Sequence, residues 1–241
     1  MRDAIVIIPT YNEIENIEAI IRAVFSVEKH FDILVVDDNS PDLTGLKVKA
    51  LQKEFENQLF LLSRQEKTGL GSAYIAGFKW SLKKQYQYIF EMDADFSHDP
   101  NDLPSLYNAC AKEGADMSIG SRYINNNINV VNWDMKRLLL SYFASKYVRF
   151  ITRMKIHDTT AGFICYKRRV LEAIDLDNIK FVGYAFQIEM KFKAYLQKFN
   201  IVEVPVIFTD RTKGKSKMSG GIISEAIFGV IHMKFKSIFN I

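Results

Sequence analysis

The sequence predicts an α/β fold, in which a mostly parallel central sheet carries helices on both faces. Three observations lead there. Short β-branched runs at residues 4–8, 33–36 and 59–63 alternate with segments whose apolar residues recur at helical spacing. Each of the first two runs ends in a polar turn, and a third such turn follows the later run at 88–92. Successive strand–turn–helix units need crossover connections, and these place helices on the faces of a parallel sheet.

The elements follow in order. Residues 4–8 read as a buried strand, broken by Pro9, and Ile14, Ile17, Ile20, Ile21 and Val24 then mark an amphipathic helix. A strand at 33–36 ends in Asp37-Asp38, and a helix over 43–55 and a strand over 59–63 come next. Gly69 and Gly71 open a helix running to about residue 84. Their turn is not G-x-G-x-x-G, since Tyr74 stands in the third glycine's place, and close packing of a helix start explains it better than a phosphate cradle. A strand at 88–92 delivers Asp93-Ala94-Asp95, followed by a helix at 102–113 and a strand at 116–120. Beyond an Asn-rich loop at 125–132, a long helix spans 136–153, a strand ends at Tyr166, a helix starts at Arg168, and a strand covers 201–208. Residues 221–241 form a last helix. No linker-like composition or internal repeat divides the chain, so 1–241 reads as one domain. Residues 1–120 would be its nucleotide-binding half, 121–221 its acceptor-binding half and 222–241 an amphipathic C-terminal helix.

Composition narrows the classes. At 48% apolar and 25% charged, the 241 residues have the balance of a soluble protein with a sizeable core. The net charge of +4 is concentrated: Arg122, Lys136, Arg137, Lys146, Arg149, Arg153 and Lys155 fall together, as do Arg211, Lys213, Lys215 and Lys217. Basic clusters beside an acidic motif point to an anionic ligand rather than to nucleic acid. Cys110 and Cys165 lack metal-type spacing and read as reduced core thiols of a cytosolic protein. The first apolar run is too short for a signal peptide, and no stretch is long enough to span a bilayer. A membrane substrate would be reached from the surface.

Ligands of such sheets collect outside the carboxyl ends of the strands. Pro9-Thr10-Tyr11-Asn12-Glu13, Asp37-Asp38 and Asp93-Ala94-Asp95 all fall at that edge. Two carboxylates one residue apart at a strand end suit a divalent metal. A nicotinamide-dependent oxidoreductase would need a glycine fingerprint where Pro9 to Glu13 stand. A receiver-type signalling domain would be about half as long and would not explain Arg122 or Arg137.

These motifs, with Val36-Asp37-Asp38-Asn39-Ser40, Gly120-Ser121-Arg122-Tyr123, Asp158-Thr159-Thr160-Ala161-Gly162-Phe163, Gln187-Ile188-Glu189-Met190 and Ser216-Lys217-Met218, together resemble the polyprenol-phosphate (dolichol-phosphate) mannose synthases of glycosyltransferase family 2. The resemblance covers nearly the whole chain. It implies a nucleotide-diphospho-sugar transferase fold of the GT-A type. It also implies inverting transfer of mannose from GDP-mannose to a polyprenyl phosphate at the cytoplasmic face of a membrane. Other members use glucose or other sugars. Residue by residue, Pro9, Tyr11, Glu13 and Asp38 would hold the guanosine. Asp93, Ala94 and Asp95 would meet its diphosphate, with Mg²⁺ or Mn²⁺ on Asp93 and Asp95 and on Ser97 directly or through water. Arg211 and Lys217 would close on the donor phosphates. Arg122, Arg137 and Ser141 would receive the acceptor phosphate, so that Asp95, Arg122 and Arg137 carry the catalysis.

The acceptor's chemistry is consistent with this set. A phosphate monoester is already an anionic nucleophile near neutrality, so it needs cations rather than a general base. Guanidinium forks match its oxygens. Asp158 and Glu189 can be read as bases, but orienting or structural roles fit them better. In the last helix Ile223, Ile227, Phe228, Ile231, Phe235, Ile238 and Phe239 share helical spacing, with Lys234 and Lys236 near the end. That pattern fits a helix lying in a membrane interface beside the 136–153 helix, or one packed on the core. A membrane-anchoring protein partner is compatible with either.

Overall fold

The computed structural model describes residues 2–124, 127–183, 185–210 and 221–239, with the side chains of 221–227 and 238–239 outside that description. Its first half runs β1 (Ala4–Thr10), α1 (Ile17–Ser26), β2 (Asp32–Asp37), α2 (Thr44–Leu51), β3 (Leu59–Ser63), α3 (Leu70–Leu82), β4 (Tyr88–Glu91), α4 (Leu103–Ala111) and β5 (Met117–Ser121). Three two-residue strands follow, β6 (Tyr123–Ile124), β7 (Asn127–Ile128) and β8 (Val130–Val131). The chain continues with α5 (Met135–Thr152), β9 (Ile164–Lys167), α6 (Arg168–Ala173), α7 (Ala185–Leu196), β10 (Ile201–Pro205), β11 (Phe208–Thr209) and α8 (Gly221–Phe239).

Seven strands make one sheet in the order β10-β5-β9-β4-β1-β2-β3. Only β9 runs against its neighbours, pairing antiparallel with both β4 and β5. Every residue of β2 is buried, and so is every residue of β1 except Pro9, as expected of a sheet covered on both faces. The two-residue period of β1 divides the core. Ile5 and Ile7 pack with Tyr74, Phe78, Leu171 and Phe186 of α3, α6 and α7 on one face. Val6 and Ile8 pack with Ile17, Ile20, Val48 and Leu106 of α1, α2 and α4 on the other. Gly77 lets α3 lie directly on β1, since a β-carbon there would stand 2.7 Å from Ile7 Cγ2.

Four details differ from the sequence reading. α1 starts at Ile17, because residues 11–16 form the polar turn of the site. α2 ends at Leu51 instead of residue 55, and it follows Leu43 in the left-handed region (φ 71°). Residues 127–131, read as part of a loop, contribute β7 and β8. The run 201–208 is two strands: proline, without an N–H for the ladder, ends β10 at Pro205, and β11 pairs with β8 instead.

Candidate active site

The carboxyl ends of β1, β2 and β4 bring the first three motifs to one edge. Thr10, closing β1, donates through Oγ1 to Asp37 Oδ1 at 3.1 Å, and Ser40 Oγ donates to the same oxygen at 2.5 Å. Asp37 is therefore a tie between two turns. Asp38 is buried with Oδ1 3.1 Å from Arg64 Nη1. Burial pushes its carboxyl up, and the charges of Arg64 and Lys67 oppose that only in part. Lys67 Nζ stands 4.5 Å from the centre of the Tyr11 ring. Glu13 is fixed from both ends: its N–H donates to Thr44 Oγ1 (3.1 Å), and its carboxylate accepts from Asn16 Nδ2 (3.0 Å). Half-buried Pro9 completes this side. The Gly69 turn takes φ +110°, and the Gly71 N–H is bonded to Val182 O at 2.8 Å. The glycine turn thus serves helix packing.

The Asp93 turn closes on itself. The Asp93 N–H donates to His98 Nδ1 at 3.2 Å, and Tyr74 Oη approaches Asp93 Oδ1 at 3.4 Å. Asp95 Oδ1 accepts from the Ser97 N–H at 3.1 Å and from the Ser97 hydroxyl. Asp95, Ser97 and Ala94 are all buried. Phe96 adopts φ 61°, a left-handed turn that a phenylalanine takes only under constraint. His98 is stacked on Phe163 with ring centres 4.8 Å apart. Burial pushes its imidazole down to about 4 against the opposing charge of Asp95, so it is neutral at pH 7. Among the described residues no group of three His, Cys, Asp or Glu side chains surrounds a metal position.

Across His98 lies the basic half. Arg122, at the end of β5, is buried and clamped by Asp158: Nε to Oδ2 and Nη2 to Oδ1 are both 2.6 Å, and the Arg122 N–H donates to Oδ2 at 3.0 Å. Nη2 also donates to Thr160 Oγ1 at 2.8 Å. Burial alone would raise the Asp158 carboxyl, yet the guanidinium and its hydrogen bonds hold it below the usual carboxylate range. A carboxylate so held is a poor base. Asp134 caps α5 by accepting from the Arg137 N–H (3.0 Å), which places Arg137 and Ser141 one turn apart near the helix start. Arg137 Nη1 pairs with Asp210 Oδ1 at 2.7 Å, both side chains about one-third exposed. Trp133 lies between the arginines, 5.4 Å from Arg122 and 4.3 Å from Arg137. The Thr209 N–H reaches Ser97 O at 3.4 Å, linking this half to the aspartate turn. Arg211 and Lys217 lie outside the described residues.

Sequence reasoning missed a layer of buried groups beneath these. Glu91, at the end of β4, accepts from Tyr166 Oη (2.8 Å) and from Gln187 Nε2. Burial pushes its carboxyl up. Lys191, also wholly buried, donates to Ala161 O at 2.5 Å, and burial pushes its ammonium down against Glu91 and Asp158. Glu203 of β10 accepts from Ser121 Oγ (2.7 Å), His157 N (2.7 Å) and Asp158 N (2.8 Å). Glu189, which the sequence did single out as an orienting or structural group, accepts from the N–H groups of Lys180 and Phe181 at 2.9 and 3.1 Å. For Glu203 the one signal in the sequence was a charge inside the apolar strand 201–205.

Residues 5–175 match the family model described as glycosyl transferase family 2. Over 226 residues the chain is 47% identical to the polyprenol monophosphomannose synthase of Mycolicibacterium smegmatis, covering 94% of this chain and 84% of that protein. It is 44% identical over 224 residues to the undecaprenyl-phosphate mannosyltransferase of Micrococcus luteus, covering 93% and 90%. Among solved structures, glucosyl-3-phosphoglycerate synthase of Mycobacterium tuberculosis, in complex with Mn²⁺, UDP and glucosyl-3-phosphoglycerate, superimposes with a TM-score of 0.71 at 16% identity. That match covers 97% of this chain and 80% of that one, a likeness of fold. Matches of this length make the protein a member of glycosyl transferase family 2, a glycosyltransferase with a GT-A-type fold.

Proposed function

We propose that the enzyme transfers mannose, with inversion, from GDP-mannose to a polyprenyl phosphate such as dolichyl phosphate, at the cytoplasmic surface of a membrane. What carries the reading is one juxtaposition. The aspartate turn and Arg122 meet at His98, and Trp133 joins Arg122 to Arg137, in a chain whose relatives are named for mannose transfer to polyprenyl carriers.

On the donor side Pro9, Tyr11, Glu13 and Asp38 hold the guanosine, and Asp93, Ala94 and Asp95 face its diphosphate. The donor set of Asp93 and Asp95, with the Ser97 hydroxyl directly or through water, fits Mg²⁺ or Mn²⁺. Hard oxygen ligands suit these ions, and one or two carboxylates suffice when phosphates and water complete the shell. A metal held by these residues would supply positive charge to the departing diphosphate. Arg211 and Lys217 add positive charge to the same leaving group.

On the acceptor side Arg122 is a fixed charge, tied to Asp158. Arg137 is the arginine that can exchange its partner, since it and Asp210 are both reached by solvent. A phosphate oxygen held by Arg137 and Ser141 forms the bond to the anomeric carbon as the bond from that carbon to the diphosphate oxygen breaks. The electron pair leaves with GDP. No proton has to move, because a phosphate monoester with a second pKa of about 6 is already anionic at pH 7. The lipid tail then lies toward α5 and α8, whose outer sides expose Leu139, Phe143, Phe150, Phe228 and Phe235. No helix among the described residues is long and apolar enough to cross a membrane.

The test is a transfer assay with GDP-mannose and UDP-glucose against a short polyprenyl phosphate, with Mn²⁺ or a chelator. Transfer from GDP-mannose is expected to stop with the chelator and to fall about hundredfold or more in Asp95→Asn, the usual loss for one electrostatic stabiliser. Chelator-resistant transfer would reject the metal role of Asp93 and Asp95, and preference for UDP-glucose would reject the donor.

A further inference from the structure

Tyr123, the first residue of β6, is 5% exposed, and its hydroxyl has no hydrogen-bond partner among the described residues. Native structures keep few such groups, and each calls for an explanation. This hydroxyl is not remote from the site. The charges of Arg122 and Arg137 both act on it, and the Ser141 hydroxyl comes close enough to interact with it without reaching hydrogen-bond geometry. The ring is held from two directions, by the Arg122 guanidinium at 5.2 Å and by Tyr142 edge-on at 5.6 Å. A second buried donor without a partner belongs to the same cluster, Trp133 Nε1, on the ring that lies between Arg122 and Arg137. Two neutral donors lacking acceptors, grouped around two guanidinium groups and a serine hydroxyl, are complementary to an anion with several acceptor oxygens. An apolar group or a cation would leave them unpaired.

We propose that the Tyr123 hydroxyl, together with the Trp133 indole N–H, donates a hydrogen bond to the phosphate group of the acceptor, making Tyr123 a substrate-binding residue. The proposal rests on the reading of Arg137 and Ser141 as the acceptor-phosphate site and adds the neutral donors to that site. The structure gives it a property that a packing residue would not have. Removing a hydroxyl that makes no full hydrogen bond costs the ligand-free fold little, whereas removing one that the fold uses costs stability.

The experiment compares wild type with Tyr123→Phe in the full chain. In the ligand-free protein the thermal midpoint is expected to be unchanged or slightly higher. The KM for a short polyprenyl phosphate should rise about tenfold or more, as for a hydrogen bond to a charged group, with the KM for the nucleotide sugar unchanged. Inorganic phosphate serves as a second probe: stabilisation of wild type but not of the variant supports the donor role with free phosphate as a sufficient ligand. A difference seen with the lipid alone supports it with the lipid phosphate as the source. Equal acceptor KM values, or a lowered ligand-free midpoint in the variant, would overturn the proposal while the transfer reading stands. A wild type that neither binds nor uses polyprenyl phosphate would remove that reading and this proposal together.

Discussion

Arg122 connects more of the site than any other residue. Its fork is satisfied by Asp158, a carboxylate 36 residues away, and Asp158 is in turn held by Glu203 from β10. Removing one member of a buried pair leaves the other charge uncompensated, so Asp158→Asn should cost about 3–5 kcal/mol. A chemical denaturation midpoint reads this directly, and a variant as stable as wild type at pH 7 would contradict it. The pH dependence follows from the sign of the shift. Asp158 has a folded pKa below its ordinary 3.8, so the pair contributes in full above that value and is lost only as pH falls below it. The gap between wild type and Asp158→Asn should therefore be constant from neutrality to about pH 4 and close under stronger acid. The Asp93–Asp95 spacing was legible in the sequence because charge at a strand end stands out, and Arg122 and Arg137 because they fall in a basic cluster. The pairing of Arg122 with Asp158 was not, since no local pattern says which of several carboxylates folds back on it. Glu91 and Lys191 were hidden for a similar reason: each has other charges two residues away, and only the packing shows that these two are wholly buried.

Among the elements, α5 has an unusual polarity. Ser145, Val148 and Thr152 are buried, while Leu139, Leu140, Phe143 and Phe150 are exposed, Phe150 by 69%. Lys146, Arg149 and Arg153 line a hollow with Phe150 and Met154 at its end, and among the described residues these three cations meet no carboxylate. α8 packs against α5 and α7 through Val230 and leaves Phe228, Ile231 and Phe235 outward. Outward aromatics flanked by cations match a helix in a membrane interface. Replacing Phe143 and Phe150 with serine should lower partitioning onto anionic vesicles about a hundredfold, at about 1.5 kcal/mol of burial per large side chain, while leaving the fold intact. Equal flotation would contradict the membrane role of this face. Of the two earlier alternatives for α8, the packing on the core is what its inner side shows, and the outward side is the face that an interface role would use. Long periodic elements such as β1 and α1 could be read from sequence because their own residues carry the signal. β6, β7 and β8 could not, because two-residue strands exist only through their partners. The antiparallel direction of β9 was equally hidden, being fixed by its insertion between β4 and β5.

At the scale of the molecule, that insertion joins what the sequence divides into a nucleotide half and an acceptor half. β9 and β10 come from the later half yet lie in the same sheet as β4 and β5, and β9 separates the strand carrying Asp93 from the strand carrying Arg122. The two charged groups therefore follow strands that are neighbours but for β9, and both come to one edge of the sheet. In the proposed reaction this edge joins an electrophilic sugar to an acceptor that arrives already anionic, so that no side chain has to serve as a base. The most direct test is to offer the enzyme GDP-mannose with either a polyprenyl phosphate or the polyprenol of the same chain length, and to measure mannosyl lipid formed. Product from the phosphate and none from the alcohol is the predicted result; comparable transfer to the alcohol would contradict the account, because it would demand a base that the site is read as lacking.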